Sequence, residues 1–92
     1  AELEARLVTA VRKVIPEADP VAIQVRPTSD PRNGDYQSPA LMALAKARRV
    51  NPRQLATEVI GHLDVLDLGA TVEVAGPGFL NFRLSPAAFV RA

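Results

Sequence analysis

The chain has 92 residues, 48% of them hydrophobic and 23% charged, a balance that fits one folded domain and excludes wholesale disorder. Eleven basic against ten acidic side chains leave a net charge of +1, far from the basic excess that coats nucleic acid nonspecifically, so any such contact is expected to be local. The absence of cysteine excludes disulfides and thiolate chemistry, and a single histidine, His62, is too little for a metal centre or a catalytic triad of the usual composition.

No apolar run approaches the ~18 residues that span a bilayer, and the start, Ala1 to Arg6, lacks the apolar block of a secretory signal. A cytoplasmic protein without a membrane partner is expected. The chain begins without methionine and ends at Ala92 shortly after a helix-start signal, so it is expected to be part of something longer.

In chain order, Leu3, Leu7, Val11, Val14 and Ile15 recur at three- and four-residue spacing, predicting an amphipathic helix that Pro16 ends. Val21, Ile23 and Val25 then alternate with polar or small residues, predicting a strand with one buried face. Pro27 to Gly34 reads as a loop with turn signals at Asp30-Pro31 and Asn33-Gly34, and Asp35-Tyr36-Gln37 as a short returning strand. Ser38-Pro39 marks a helix start with Leu41, Leu44 and Ala45 as its buried stripe. Asn51-Pro52-Arg53-Gln54 caps another helix, whose core face is read as Leu55, Val59, Leu63 and Leu66.

After Gly69, Val72 and Val74 alternate with Thr71 and Glu73. Gly76-Pro77-Gly78 turns the chain, and Phe79 to Leu84 alternates again as the second arm of a β-hairpin. Ser85-Pro86 repeats the helix start. The order α-β-β-α-α-β-β predicts an α+β fold: a two-layer sandwich with an antiparallel four-stranded sheet and helices on one face.

The hairpin also carries the main candidate site. If Leu80, Phe82 and Leu84 face the core, Phe79, Asn81 and Arg83 point the other way onto an open sheet face. The reverse choice would bury an amide and a guanidinium at a cost of several kcal/mol unless both were paired. An aromatic ring stacks on an unpaired base, an amide reads a base edge, and an arginine holds a phosphate. The plainer alternative is that Phe79 covers a helix or loop and Asn81 is an outward polar residue.

Arg48, Arg49 and Arg53 form a second, basic candidate at the helix-to-helix junction, suited to phosphates or simply to a solvated helix end. The same junction has the outline of a helix-turn-helix, although Glu58, Asp64 and Asp67 are poor for a DNA-reading helix. Asp30, Asp35, Glu58, Asp64 and Asp67 are too scattered for an acid/base pair, His62 is read as a packing or surface residue, and no catalytic or metal-binding residue is assigned. Three readings therefore stand: an RNA-binding appendage, a free-standing helix-turn-helix DNA-binding module, and a protein-docking domain.

Taken in order, Asn33-Gly34-Asp35-Tyr36-Gln37-Ser38, Ala43-Leu44-Ala45-Lys46, Asn51-Pro52-Arg53, Ala56 and Val74 to Leu84 resemble the N-terminal additional domain of arginyl-tRNA synthetases over nearly the whole chain. The resemblance implies a parent class I aminoacyl-tRNA synthetase that uses ATP and Mg²⁺ to charge tRNA with arginine. This domain would touch the D-loop and elbow of the tRNA, with Phe79 and Asn81 contacting a base, and would have no cofactor of its own. Its partners would be tRNA and the catalytic domain of the same chain, with no role for DNA. Residues 1–92 would be the additional domain, with 85–92 starting a helix that leads to the catalytic domain. The family's His-x-Gly-His and Lys-Met-Ser-Lys-type motifs are absent from these residues, so the chain alone is not expected to charge tRNA. Two positions depart from the family pattern: Asn33, where an aromatic residue is common, and Pro39, where Asn is.

Overall fold

A computed structural model describes residues 2–30 and 34–84. Helix α1 (Glu2–Val14) buries Leu3, Leu7, Ala10 and Val11, and its acidic first turn and basic last turn match the helix dipole. Strands β1 (Arg26–Pro27) and β2 (Tyr36–Ser38) form the first pair; helices α2 (Ala40–Arg48) and α3 (Pro52–Ile60) follow; β3 (Ala70–Ala75) and β4 (Phe79–Leu84) close the fold. All neighbours are antiparallel in a sheet of order β1-β2-β4-β3, so the two local pairs join through β2 and β4. Helices α2 and α3 contact the sheet and α1 packs on α3. This is the expected α+β architecture.

The core runs between these layers. Phe82 and Leu80 from β4 are fully buried with Leu7, Val11, Ile23, Leu41 and Val59. Tyr36, Val72, Val74 and Leu84 complete it from the edges. The β3–β4 hairpin therefore has the predicted register, with Leu80 and Phe82 turned to the helices.

The strand expected over Val21, Ile23 and Val25 does not form. Asp19 accepts from the Val21 N–H at 3.0 Å and caps a single 3-10 turn, Pro20–Ala22, leaving Val21 78% exposed. An acceptor followed by proline is a helix-start pair, and here that local chemistry outweighs the alternation. Ile23 still reaches the core, and the Val25 N–H donates to Glu4 on α1 at 3.0 Å instead of to a strand. Pairing begins only at Arg26.

The third helix also stops earlier than expected. It ends at Ile60 before Gly61; Leu63 is half-buried and Leu66 is 75% exposed at the start of a second 3-10 turn, Leu66–Leu68. Arg6 holds this segment from α1, donating to both carboxylate oxygens of Asp67 at 2.8 Å and to the Asp64 carbonyl at 3.0 Å. Helix α2 starts one residue late. Pro39 occupies the cap position with no side-chain acceptor, and Ser38 Oγ, fully buried, accepts from the Ala40 N–H at 3.3 Å. The Asn51 cap is as read, accepting from the Gln54 N–H at 3.1 Å with Pro52 in the first turn. Exposed His62 takes the surface role read for it. The turn signals at Pro31 and Asn33 and the helix start at Ser85-Pro86 lie outside the described residues.

Two outcomes follow from this packing. Truncating Phe82 to Ala removes a fully buried ring and should cost roughly 3–5 kcal/mol. Truncating half-buried Phe79 should cost only about 1 kcal/mol, and urea melts of both variants measure the difference.

The second concerns acid. The bidentate hydrogen bond from Arg6 holds the Asp67 carboxyl below its usual range. A carboxyl lowered by folding contributes stability above its unfolded value and loses it as pH falls through the folded one. Asp67→Asn should therefore melt lower than wild type at neutral pH, with the gap closing as pH drops below the usual carboxylate range. Thermal melts across that range check it.

Candidate nucleic-acid interface

Strand alternation and antiparallel register assemble one polar row across the sheet. Arg26 pairs with Gln37, Gln37 with Asn81, and Asn81 with Glu73, so each of the four strands contributes one side chain to the same face. Phe79 and Arg83 flank Asn81 along β4, on the face opposite Leu80 and Phe82. The expected trio thus shares a face, but it is not uniformly open.

Asn81 is only 2% exposed, which overturns the reading that it stands free in solvent. It lies on an inner strand, with Gln37 and Glu73 as its cross-strand neighbours and Phe79 and Arg83 before and after it. Alternation sets the direction of a side chain and says nothing of how its neighbours cover it. The burial is compensated: Gln37 Nε2 donates to Asn81 Oδ1 at 2.9 Å. Among the described residues no fully buried side-chain nitrogen or oxygen lacks a partner. With the oxygen engaged by Gln37, the NH2 is the remaining edge of the Asn81 amide.

Phe79 is half-buried, its ring 3.5 Å from where a Cβ on Gly76 would stand. Arg83 lies 3.6 Å from Glu73, both side chains about half exposed. The turn behind the ring is seated on α3. Gly78, at φ +143°, approaches Pro52 so closely that a Cβ would lie 2.8 Å from the proline Cβ. Arg53 donates to the Gly76 carbonyl from the same helix turn.

The basic cluster therefore divides. Arg53 braces the hairpin turn, Arg48 pairs with Glu17 at 2.9 Å, and exposed Arg49 adopts the left-handed conformation (φ 59°) that ends α2. A hollow of about 240 Å³ at the α2–α3 junction is lined by Val14, Arg48, Val50, Asn51, Gln54 and Glu58 and shares no residue with the polar row. Sequence reading missed Gln37, Glu73 and Arg26. Alternation in β2 marks Gln37 as outward, but its placement beside Asn81 depends on the β2–β4 register, for which the sequence carries no local signal. Among the described residues no three His, Asp or Glu side chains gather as metal ligands, and no helix is long and apolar enough to cross a membrane.

Comparison with known proteins places the fold in a family. Residues 1–84 match the family model described as the arginyl tRNA synthetase N terminal domain. An arginine–tRNA ligase of Laribacter hongkongensis is 44% identical over 72 residues, covering 78% of this chain and 12% of that protein. One from Thermosynechococcus vestitus is 57% identical over 60 residues, or 65% of this chain and 10% of that protein. Among solved structures, the Thermus thermophilus arginyl-tRNA synthetase superposes with a TM-score of 0.73 at 35% identity, over 98% of this chain and 14% of that one. The chain thus spans about an eighth of the length of such relatives. With residues 1–84 of its 92 matched by that family model, the chain belongs to the family of arginyl-tRNA synthetase N-terminal domains.

Proposed function

We propose that this domain is the tRNA-recognition module of an arginine–tRNA ligase. It meets the D-loop and elbow of the tRNA and helps the parent enzyme select and position it for ATP-dependent arginylation in the cytoplasm. The observation that carries the reading is the juxtaposition on β4: a half-buried ring, Phe79, two residues from an amide whose oxygen is engaged by Gln37, with Arg83 next in line. The ring offers a base a stacking platform, the amide meets the base edge, and Arg83 lies where the backbone of the same nucleotide would pass. Arg48, Arg49 and Arg53 are assigned to phosphates at the margin. ATP and Mg²⁺ are assigned to the remainder of the ligase, and no chemical step is assigned to this domain.

The helix-turn-helix alternative has less support. The first turn of α3, where such a helix would enter a DNA groove, is occupied by the hairpin turn through Pro52 and Arg53, and exposed Glu58 lies further along. A protein-docking role for the same sheet face is an outcome of the first test below.

Phe79→Ala should weaken tRNA binding by roughly 1–3 kcal/mol whichever base is present. Asn81→Ala should cost about 1 kcal/mol, and only with the preferred base. Binding to arginine-accepting tRNA transcripts, with D-loop bases native and singly replaced, separates the two. Equal losses from Asn81→Ala on every transcript remove it as a base reader. No loss from either variant leaves the face to a protein partner.

The salt dependence should be shallow. Arg48 pairs with Glu17 and Arg83 lies beside Glu73, so two of the assigned cations are already engaged. With two to four contacts, log K should fall against log salt with a slope of about −2 to −3. A slope near −8 in a salt titration would reveal a much larger phosphate footprint.

A further inference from the structure

A carboxamide that reads a base must commit to one orientation. Turning it by 180° about its last bond exchanges a donor edge for an acceptor edge, and an amide free to turn accepts either base. Asn81 has a partner that favours one orientation. Gln37, its register partner on β2, donates from Nε2 to Asn81 Oδ1 at 2.9 Å. On the other side of Asn81, Glu73 lies beside Arg83 at 3.6 Å. The strand that carries Gln37 is well anchored. The Asp35 N–H donates to the Phe82 carbonyl at 2.8 Å, and the Leu84 N–H donates to the Asp35 carboxylate at 2.7 Å, fixing β2 against β4 on that side of Gln37.

We infer that Gln37 is the positioning residue for base selection. By donating to the Asn81 oxygen it leaves the NH2 as the edge for a base to meet, so the face selects an unpaired base that offers an acceptor there and rejects one that offers a donor. This rests on the reading of Asn81 as a base-contacting amide given above. It also predicts an inversion. Glu at position 37 accepts and cannot donate when ionised, so Asn81 must turn its NH2 toward β2 and present its oxygen outward.

The test is a ratio of dissociation constants, measured by NMR titration of the 92-residue chain. The probes are arginine-accepting tRNA transcripts that differ only at the D-loop base where Asn81→Ala has its effect. At that position A is compared with G, and C with U, pairs whose edges exchange donor for acceptor. Ratios cancel the uniform repulsion that an added carboxylate exerts on phosphate. Gln37→Met should lower the wild-type ratio by roughly 3- to 10-fold, the effect of one net hydrogen bond, with the melting temperature nearly unchanged. Gln37→Glu should reverse the preferred member of the pair.

If Asn81→Ala flattens the ratio while Gln37→Met keeps it, Asn81 reads the base unaided and the inference is overturned. If Asn81→Ala itself keeps the ratio, base reading at Asn81 fails, and the inference fails with it. Should Gln37→Met prove unstable, Gln37→Glu decides alone: structural damage flattens a ratio and cannot invert it, so flattening without reversal overturns the role.

Discussion

Two hairpins become one sheet only where β2 meets β4, and that meeting depends on Gly34. The residue sits at φ +87°, and a Cβ there would lie 2.6 Å from the Phe82 carbonyl oxygen. A side chain would meet backbone on the central strand, which has no slack to yield, on top of the 1–2 kcal/mol that L-residues lose in the left-handed region, roughly. With glycine in place, Asp35 follows directly and serves β4 twice: its N–H donates to Phe82 and its carboxylate accepts from Leu84. Thr28 closes the other side, donating from its N–H to the Asp35 carbonyl at 3.1 Å and from its hydroxyl to the Gly34 carbonyl at 2.5 Å. The Gly-Asp part of the family resemblance is therefore accounted for by sheet assembly alone.

The polar row is a consequence of that junction. Once Asp35 is fixed against β4, the period of the strand brings Gln37 opposite Asn81, and the β3–β4 register brings Glu73 to the other side. The burial of Asn81 and its bond to Gln37 belong to one placement. The far end of β4 is held differently. There the turn carrying Phe79 leans on Pro52 and Arg53, so the ring is positioned by the helix layer while the amide is positioned by the sheet. The start of α3, capped by Asn51, thereby links the core to the face that lies opposite it.

Where the sequence was legible, one physical signal acted alone. Leu3, Leu7 and Val11 had helical spacing with nothing competing, and Leu80 and Phe82 alternated with residues that resist burial in an apolar core. It misled where two signals overlapped. Val21 to Val25 alternates like a strand, but Asp19-Pro20 is also a helix-start pair, and the local cap prevails. Leu66 continues the spacing of Leu55 and Val59, yet Gly61 interrupts the helix and Arg6, from a distant part of the chain, holds the next segment in another path. At the site, the direction of Asn81 was legible and its environment was not. Its cross-strand neighbours stand on β2 and β3, and which residues they are is a matter of register between strands far apart in sequence.

The fate of the arginines bears on what kind of binding such a face supports. Arg6 is committed to Asp67 and Glu2, Arg48 to Glu17, and Arg53 to the hairpin turn, while Arg83 has Glu73 beside it. A cation already engaged gains less from a phosphate, because one interaction replaces another. On the proposed reading, these engagements lower affinity for nucleic acid at large and leave preference to the contact that depends on the base itself. On the proposed reading that balance is functional. A module tethered to a catalytic domain encounters its tRNA at high effective concentration, so it needs little affinity of its own. What it has to supply is a difference between right and wrong bases, and a fixed amide beside a ring supplies a difference more readily than a row of free cations.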